Sequence, residues 1–298
     1  MQNRVRRGVT LVEVLVVVGI IGLLVGLILP AVQQVRGSAD RAACADRLRQ
    51  MAISLHGHHA AYGRLPPNLG GNEPYTASPE QILSWPALIL PYIDQEPLWR
   101  TSVEACKQSQ YTYRTPHVGY STVLKAFRCP SDDRLATPVP RSKGAAAAAA
   151  LTSYVGVAGY AGRGGMLPGF EGVSLTSVAD GTSQTLMVGE RPPPDSHQSG
   201  RWYSNMWKFA PFTGPGAELS IPEQTGTFIV PECISAKMLA YGPGRTTNPC
   251  DMYHFWSLHS GGANFAYADA SVHFLTYAAA PILPAMATRA GGESVDVP

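Results

Sequence analysis

The sequence predicts an α+β protein, in which a long amino-terminal helix that is transmembrane in its first half packs on a β-rich globular domain with long loops. Three features carry this prediction. A continuous apolar run leads to Pro30, and a hydrophobic spacing of three and four residues then continues to Tyr62, as is typical of an amphipathic helix. Beyond Gly63 the chain is rich in glycine and proline and its apolar runs are short, which favours strands and loops.

The first eight residues form a basic leader without any acidic residue. Its arginines, Arg4, Arg6 and Arg7, flank the apolar run, so the positive-inside rule predicts a cytoplasmic amino terminus. The rest of the chain is then exported, with the main domain in the periplasm or at the cell surface.

The span from Val9 to Leu29 is interrupted by polar side chains only at Thr10 and Glu13. At about 1.5 Å per residue it crosses a hydrocarbon core about 30 Å thick, so residues 9–30 are predicted to pass once through the inner membrane. The Glu13 carboxylate opposes insertion by about 2.5–3.5 kcal/mol, whereas the valine, leucine and isoleucine side chains together favour it by about 4–8 kcal/mol. Insertion is therefore expected despite the charge, and a carboxylate buried in this way needs a partner.

The basic leader ends at Gly8, and Thr10, Leu11 and Glu13 follow it at fixed positions. These four residues resemble the signal of type IV prepilins and type II secretion pseudopilins, while Val9 stands where that family usually has phenylalanine. The resemblance implies that a prepilin peptidase cleaves between Gly8 and Val9 and methylates the new amine of Val9.

The same resemblance implies that Glu13 takes part in subunit assembly, by pairing with the amino terminus of Val9 in a neighbouring pilin-like subunit. Gly22 and Gly26 have the Gly-xxx-Gly spacing that allows membrane helices to approach closely. The predicted partners are thus the prepilin peptidase, like or related pilin subunits, and the inner membrane.

Charge and cysteine content give two further expectations. Loss of the three leader arginines lowers the formal charge from +2 to −1, so nothing indicates nucleic-acid binding. The five cysteines would face an oxidising compartment, where disulfides form. The preferred pair is Cys233 with Cys250, and the second is Cys44 with Cys129.

Residues 31–62 are predicted to continue the helix as an amphipathic segment. One stripe repeats at steps of four and three residues and comprises Cys44, Leu48, Met51, Leu55, His58 and Tyr62. Gly63 is expected to end the helix, because Pro66 and Pro67 follow just beyond it.

Residues 63–277 are predicted to form the β-rich extracytoplasmic domain, with one short helix from Ile82 to Tyr92. The predicted strands are Ser153 to Ala158, Thr185 to Glu190, Gly226 to Val230, Ala263 to Tyr267 and Ser271 to Thr276. The alanine-rich run 144–150 is interpreted as a loop. The tail 278–298 contains prolines and a Gly-Gly pair, and is expected to be poorly ordered.

Three segments of the chain carry a second resemblance, namely Cys44 to Pro67, Cys129 to Asp132 together with Ala179 to Glu190, and His259 to Asp269. They resemble a family of bacterial proteins that join a prepilin-type amino terminus to a large domain of unknown function with a His-x9-Asp-Gly motif. Ala270 replaces the final glycine of the motif. Alanine adopts positive φ poorly, which argues against a left-handed turn at this position.

Two interpretations of the motif residues remain open. In the first, Asp269 hydrogen-bonds the backbone of its own turn and His259 caps a loop. In the second, loop carboxylates bind a metal ion such as Ca²⁺, with Asp180, Asp269 and Asp132 as candidate ligands.

Two further groups of residues are interpreted as structural. His56 and His59 are one helical step apart, a spacing that could bind zinc, but no third ligand stands at a fixed spacing. We therefore expect His56, His58 and His59 to form a polar cluster at the helix end, packed beside the sheet. Three aromatic residues are expected to pack in the core rather than form an exposed ligand platform, namely Trp202, Tyr203 and Trp207.

The sequence has no nucleophile-elbow, phosphate-binding, zinc-protease or complete dinucleotide-binding motif, so we do not expect an enzyme. The expected function is that of a pilin-like or pseudopilin-like, membrane-anchored structural subunit of a surface filament or a type II secretion-like apparatus. The alternative is a non-filamentous surface protein that uses the prepilin signal for export and anchoring and binds a ligand such as a glycan.

Overall fold

The structure is a computed structural model that describes residues 10–68, 78–140, 148–160, 163–169, 172–197, 199–203, 212–213, 233 and 240–293. The chain divides into two compact units, Met1–Ala42 and Ala43–Pro298. The leader and the predicted strand Gly226 to Val230 lie outside the described residues, as do most of the alanine-rich run and the final five residues.

Helix α1 (Leu11–Tyr62) contributes its amino-terminal part to the first unit. Its start is capped reciprocally: Glu13 Oε2 accepts hydrogen bonds from the backbone N–H and the hydroxyl of Thr10, at 2.8 and 2.7 Å, and Thr10 Oγ1 accepts from the Glu13 N–H at 3.3 Å. The large apolar side chains from Leu11 to Val35 are exposed, and the helix contains a segment long and apolar enough to cross a membrane. The predicted long apolar helix is confirmed and fits a membrane anchor, and it continues through Pro30.

The carboxyl-terminal part of α1 belongs to the second unit and buries the predicted stripe from Cys44 to His58. Tyr62 is the exception, because its side chain is 58% exposed. The helix ends as predicted at Gly63, which has a φ of +72° and donates its N–H to the carbonyl of His59 at 2.7 Å. A glycine in this left-handed conformation is a common way to terminate a helix.

The predicted β-rich domain, residues 63–277, is called the outer domain here, and its helical segments differ from the prediction. In place of one helix from Ile82 to Tyr92, the chain forms two one-turn helices, α2 (Pro79–Ile82) and α3 (Trp85–Leu88), and a 3-10 turn, Leu90–Tyr92. Prolines explain the breaks, since a proline cannot donate the N–H that continues a helix but fits the first turn of a new one. Sequence analysis also missed helix α4 (Glu96–Gln108), whose first turn likewise contains a proline.

The described strands are β1 (Tyr154–Val157), β2 (Gly159–Tyr160), β3 (Arg163–Gly164), β4 (Leu186–Glu190), β5 (Phe212–Thr213), β6 (Gly262–Tyr267) and β7 (Val272–Thr276). Five of them form a sheet in the order β5-β1-β4-β6-β7, in which β1, β4, β6 and β7 are antiparallel and β5 pairs with β1 in parallel. Strands β2 and β3 form a separate pair. The α+β fold class and four of the five predicted strands are confirmed.

The central strands are buried on both faces. In β6, Ala266 packs into the cluster that contains the α1 stripe, whereas Ala263 and Phe265 pack into a second cluster. This alternation is expected of a strand, because successive side chains point to opposite faces of the sheet.

The second cluster also contains part of the tail, which corrects the expectation that residues after 277 are poorly ordered. Helix α5 (Leu283–Met286) buries Leu283 and Met286 in that cluster. The Arg289 backbone N–H donates to the carbonyl of Gly164 at 2.7 Å. The part of the tail from Ala279 to Ala287 is held because it covers an apolar face of the sheet.

Candidate functional site

Two disulfides are present, and both match the predicted pairs. Cys44 on α1 is bonded to Cys129, with Cα atoms 5.6 Å apart, and Cys233 is bonded to Cys250, with Cα atoms 5.1 Å apart. Cys106 is a buried thiol on α4, and burial raises its pKa to about 12. A thiol with such a pKa stays protonated at neutral pH and is a poor nucleophile.

The motif histidine reaches the first of these disulfides. His259 lies just before β6 and its side chain is buried, with Nε2 3.6 Å from Cys129 Sγ and 3.4 Å from Glu190 Oε1. Loop capping is done by Ser257 instead, whose hydroxyl donates to the Gly262 carbonyl at 2.6 Å and accepts the His259 N–H at 3.0 Å. The expectation that the His259 side chain caps a loop is therefore wrong.

Glu190, whose carboxylate lies beside His259, is the last residue of β4 and is 1% exposed. The Asn264 backbone N–H donates to Glu190 Oε2 at 2.7 Å, and the Asn264 amide nitrogen lies 3.2 Å from both carboxylate oxygens. These donors compensate for the loss of water around a buried carboxylate. Sequence analysis did not assign Glu190 to a site, although an acidic residue closing an apolar strand is the signal that could have found it.

Together, four side chains present potential metal-ligand atoms within 4.8 Å of one another: Cys44, Cys129, Glu190 and His259. All four are buried. Over the part of the chain that the structure describes, this is the one convergent group of at least three histidine, cysteine, aspartate or glutamate side chains. In the disulfide form the two sulfur atoms are bonded to each other and are not thiolate ligands.

The aspartate of the motif has the structural role expected of it. Asp269 Oδ1 accepts the Ser271 N–H at 2.8 Å inside the turn between β6 and β7, and the Ala270 N–H donates to the Tyr267 carbonyl at 2.9 Å. Ala270 has a φ of +66°, so the left-handed turn is kept although alanine replaces glycine. The argument against such a turn at Ala270 was therefore wrong, because the hydrogen bonds of the hairpin override the local preference.

The three candidate calcium ligands occupy different surroundings. Asp132 is buried and forms a bidentate ion pair with Arg134, at 2.8 and 2.6 Å. Asp180 accepts the backbone N–H groups of Gly291 and Gly292 at 2.7 and 2.9 Å. None of the three belongs to the convergent group of donors, so the geometry lends no support to a shared calcium site.

The three histidines at the end of α1 each bind a different part of the domain. The His56 Nε2–H donates to the Ala268 carbonyl at 2.8 Å, and the His58 Nδ1–H donates to the Arg64 carbonyl at 2.9 Å. His59 Nε2 accepts the Leu175 N–H at 3.1 Å. Burial lowers the pKa of His58, which favours its neutral form. The polar helix-end cluster predicted for these residues is therefore what the structure contains.

The aromatic residues that were considered as a platform pack in the core where the structure describes them. Trp202 and Tyr203 are buried, and the Trp202 indole N–H donates to the Thr122 carbonyl at 2.9 Å. Trp207 lies outside the described residues.

The amino-terminal candidates are divided between described and undescribed positions. Gly8 and Val9, the expected processing site, lie outside the described residues. At Gly22 and Gly26 a Cβ atom would meet no atom of the described residues within 4 Å, apart from the neighbouring backbone of the helix itself. Contacts with the described part of the chain therefore give no reason for glycine at these two positions.

Comparison with known families identifies two regions of the chain. Residues 3–29 match the prokaryotic N-terminal methylation motif, and residues 33–281 match the protein of unknown function DUF1559. No curated protein and no solved structure is detectably similar to the chain. The second match covers most of the chain, including the disulfide Cys44–Cys129, Glu190 and the His259 motif, and the chain belongs to the DUF1559 family, with a prepilin-type methylation motif at its amino end.

Proposed function

We propose that this protein is a pilin-like or pseudopilin-like structural subunit, cleaved between Gly8 and Val9 and anchored in the inner membrane by α1. The observation that carries the proposal is the coincidence of the methylation motif at residues 3–29 with a helix whose apolar side chains are exposed. Exposed apolar side chains of this extent need lipid or other apolar helices around them. The proposal places the main domain in the periplasm or at the cell surface, since the arginines of the leader favour a cytoplasmic amino terminus.

Glu13 supports assembly with like subunits. Its carboxylate is capped by Thr10 within its own chain, but among the residues described it forms no ion pair with a cationic group. A charged carboxylate in an apolar surrounding is strongly stabilised by a positive partner. The new amine of Val9 in a neighbouring subunit is a partner of that kind.

The glycines on α1 support the same mode of assembly. Among the described residues, a Cβ at Gly22 or Gly26 would meet no atom beyond the neighbouring backbone of its own helix. The small size of these residues therefore favours close packing by a helix from another subunit. Close approach of a second helix is the use that the Gly-xxx-Gly spacing serves in membranes.

Processing is tested by mass spectrometry of the amino terminus of the protein isolated from its native membrane. The expected mature protein begins with an N-methylated Val9. A Gly8→Val variant is expected to retain the leader, whereas a Gln2→Ala variant is expected to be processed normally. A wild-type protein that retains Met1, or that is cut after the apolar segment, contradicts the proposal.

Assembly is tested by cysteine cross-linking between subunits along α1, with a single cysteine introduced at Val16. We expect Glu13→Gln and Gly22→Leu to lower the yield of cross-linked oligomers at least about tenfold, since each removes an interaction with the neighbouring helix. The matched control is Glu104→Gln, which changes an exposed carboxylate on α4. Unchanged cross-linking in both α1 variants would contradict a filament subunit and favour a lone surface anchor.

The proposal assigns no reaction to the protein. Support for this part comes from the described thiol Cys106, which is buried and has a raised pKa, and from His259, which is buried against a disulfide. A hydrolase screen of the purified full chain tests it. Activity that is lost in His259→Ala, with folding retained, would contradict a purely structural role.

A further inference from the structure

We propose that reduction of the Cys44–Cys129 disulfide converts the buried group around it into a four-coordinate zinc site, with the ligands Cys44, Cys129, His259 and Glu190. The inference concerns the outer domain and does not depend on filament assembly. The ligand types are those that zinc takes in proteins, namely thiolate, imidazole and carboxylate.

The distances between donor atoms fit a tetrahedral zinc ion. Zinc–ligand bonds of about 2.3 Å to sulfur and about 2.0–2.2 Å to nitrogen and oxygen place neighbouring ligand atoms about 3.6 Å apart for S···N and about 3.4 Å apart for N···O. The separations are 3.6 Å between Cys129 Sγ and His259 Nε2, and 3.4 Å between His259 Nε2 and Glu190 Oε1. Two edges of the tetrahedron therefore already have their required lengths.

The remaining adjustment is local. In the zinc-bound form the two sulfur atoms lie about 3.8 Å apart, which the broken S–S bond permits. Cys129 follows Arg128, whose backbone carbonyl accepts a hydrogen bond from the Arg47 guanidinium of α1. This contact keeps the Cys129 segment beside the helix when the covalent bond is absent.

The surroundings of the site are those of a supported metal centre. Asn264 donates its backbone N–H to Glu190, and its side-chain amide nitrogen lies near both carboxylate oxygens. These contacts with Asn264 fix the orientation of the carboxylate. Outer contacts of this type fix ligand orientation and raise metal affinity. All four ligands are buried, which excludes competing water.

The chemistry balances with a dithiol as reductant. The dithiol transfers two electrons and two protons to the S–S bond, which gives two cysteine thiols, and leaves as a disulfide. Zn²⁺ then forms two Zn–S bonds and releases the two thiol protons to solvent, while the His259 imidazole and the Glu190 carboxylate complete the ligand set. The link between α1 and the Cys129 segment is thus covalent under oxidising conditions and metal-mediated under reducing conditions.

The experiment uses the full chain in detergent, with Cys106→Ala, Cys233→Ser and Cys250→Ser so that only the two cysteines of the site remain. The chain is reduced with a dithiol, freed of reductant without oxygen, and titrated with Co²⁺ and then Zn²⁺. We expect about one metal ion per chain, with the thiolate-to-cobalt charge-transfer absorption and the intense visible bands of a tetrahedral site, both displaced by Zn²⁺. The oxidised chain should show neither band.

Variants test the ligand set. His259→Gln and Glu190→Gln are expected to lower zinc affinity at least about 100-fold, and Asn264→Ala about 10–100-fold through loss of carboxylate orientation. The control His273→Gln changes an exposed histidine on β7 and should leave zinc affinity unchanged.

A second readout covers the case in which reduced chains or variants fold poorly. Zn²⁺ should raise the melting temperature of the reduced chain and leave that of the oxidised chain unchanged. Reduced chain that stays folded without binding metal overturns the proposal. So does reduced chain that is unfolded and does not refold on addition of Zn²⁺, and so does zinc binding that His259→Gln leaves intact.

Discussion

The Nε2 atom of His56 on helix α1 lies 2.8 Å from the backbone carbonyl oxygen of Ala268 in the turn between β6 and β7. This hydrogen bond joins the histidine-rich end of α1 to the end of the His-x9-Asp motif. The direction of the Ala268 carbonyl depends on the conformation of the turn, which Asp269 and Ala270 determine.

The first prediction concerns the left-handed residue of that turn. Ala270 has a φ of +66°, a conformation that costs a non-glycine residue about 1–2 kcal/mol. We expect Ala270→Gly to raise the free energy of unfolding by about 1 kcal/mol, because glycine adopts this φ without steric cost and its greater unfolded-state entropy offsets only part of the gain. Urea denaturation of the full chain in detergent measures the change.

The control for this change is Ala268→Gly in the same turn, where φ is not positive. Glycine there gains nothing from φ and increases the entropy of the unfolded chain, and it also removes a methyl group that is fully buried in the core. Stability should therefore fall by about 1–2 kcal/mol. Equal effects of the two substitutions would show that the φ of Ala270 does not limit stability.

The second prediction ranks the two disulfides. Cys44–Cys129 closes a separation of 85 residues and Cys233–Cys250 one of 17. In the chain-entropy description the longer loop contributes about 4.5 kcal/mol and the shorter about 3 kcal/mol. We therefore expect Cys44→Ala/Cys129→Ala to lower the free energy of unfolding by more than Cys233→Ala/Cys250→Ala, measured in metal-free buffer. The reverse order would show that native-state contacts, rather than loop length, decide the contribution of each bridge.

The third prediction concerns close packing at the start of β6. A Cβ atom on Gly262 would lie 2.0 Å from the backbone oxygen of Leu275 on the paired strand β7. Because that atom is backbone, it cannot move without disturbing the ladder, and Gly262→Ala should destabilise the chain by about 2–4 kcal/mol. In the control Gly242→Ala, the nearest atom to the new Cβ is the Ala240 oxygen at 3.7 Å, an ordinary contact. Thermal melting of both variants tests this, and similar melting temperatures would contradict the clash.

The fourth prediction is a loss of stability in mild acid. Burial lowers the pKa of His58 and of His117 below the usual 6.5, so both remain neutral in the folded chain at pH values where they are protonated in the unfolded chain. Over the interval from about 6.5 down to the lowered native pKa values, the unfolded state binds more protons, and stability falls as pH falls. Above 6.5 the contribution is fully present.

Denaturation of the wild type at a series of pH values between about 5 and 7.5 measures this dependence. In the double variant His58→Gln/His117→Gln the slope over the same interval should be smaller, because two of the groups that take up protons on unfolding are gone. His273→Gln, at an exposed position on β7, serves as the control for replacing a histidine with glutamine. An unchanged slope in the double variant would contradict the proposed cause.

Much of the fold was predictable because its signals are local. The burial of Cys44, Leu48 and Met51 follows from a helical spacing of apolar residues that is visible in one short stretch of sequence. The four confirmed strands follow from short apolar runs between glycines and polar turns. The prediction of one helix from Ile82 to Tyr92 missed the separate helices α2 and α3. Pro86 and Pro91 interrupt this segment, although its other residues are compatible with a continuous helix.

The turn at Ala270 and the tail were decided by contacts between distant residues. Alanine alone disfavours positive φ, yet the paired strands on either side impose the turn. The prolines and glycines of the tail suggested disorder, yet Leu283 and Met286 cover an apolar face of the sheet whose existence depends on the strand order.

The sequence by itself predicted the long apolar helix, the prepilin-type signal, the helix stripe and four strands that the structure describes. It only favoured the two cysteine pairs, and the tertiary structure decided that pairing. Only the tertiary structure brought Glu190 and His259 to the Cys44–Cys129 bridge. Cys44 lies on α1 and Cys129 in a segment before the sheet, whereas Glu190 ends β4 and His259 lies just before β6. No spacing along the chain relates these four residues. The four side chains come together because β4 and β6 are neighbours in the sheet and because α1 packs in the same core. The hydrophobic pattern of a strand predicts which side chains are buried, whereas the order of strands in the sheet decides which distant residues become neighbours.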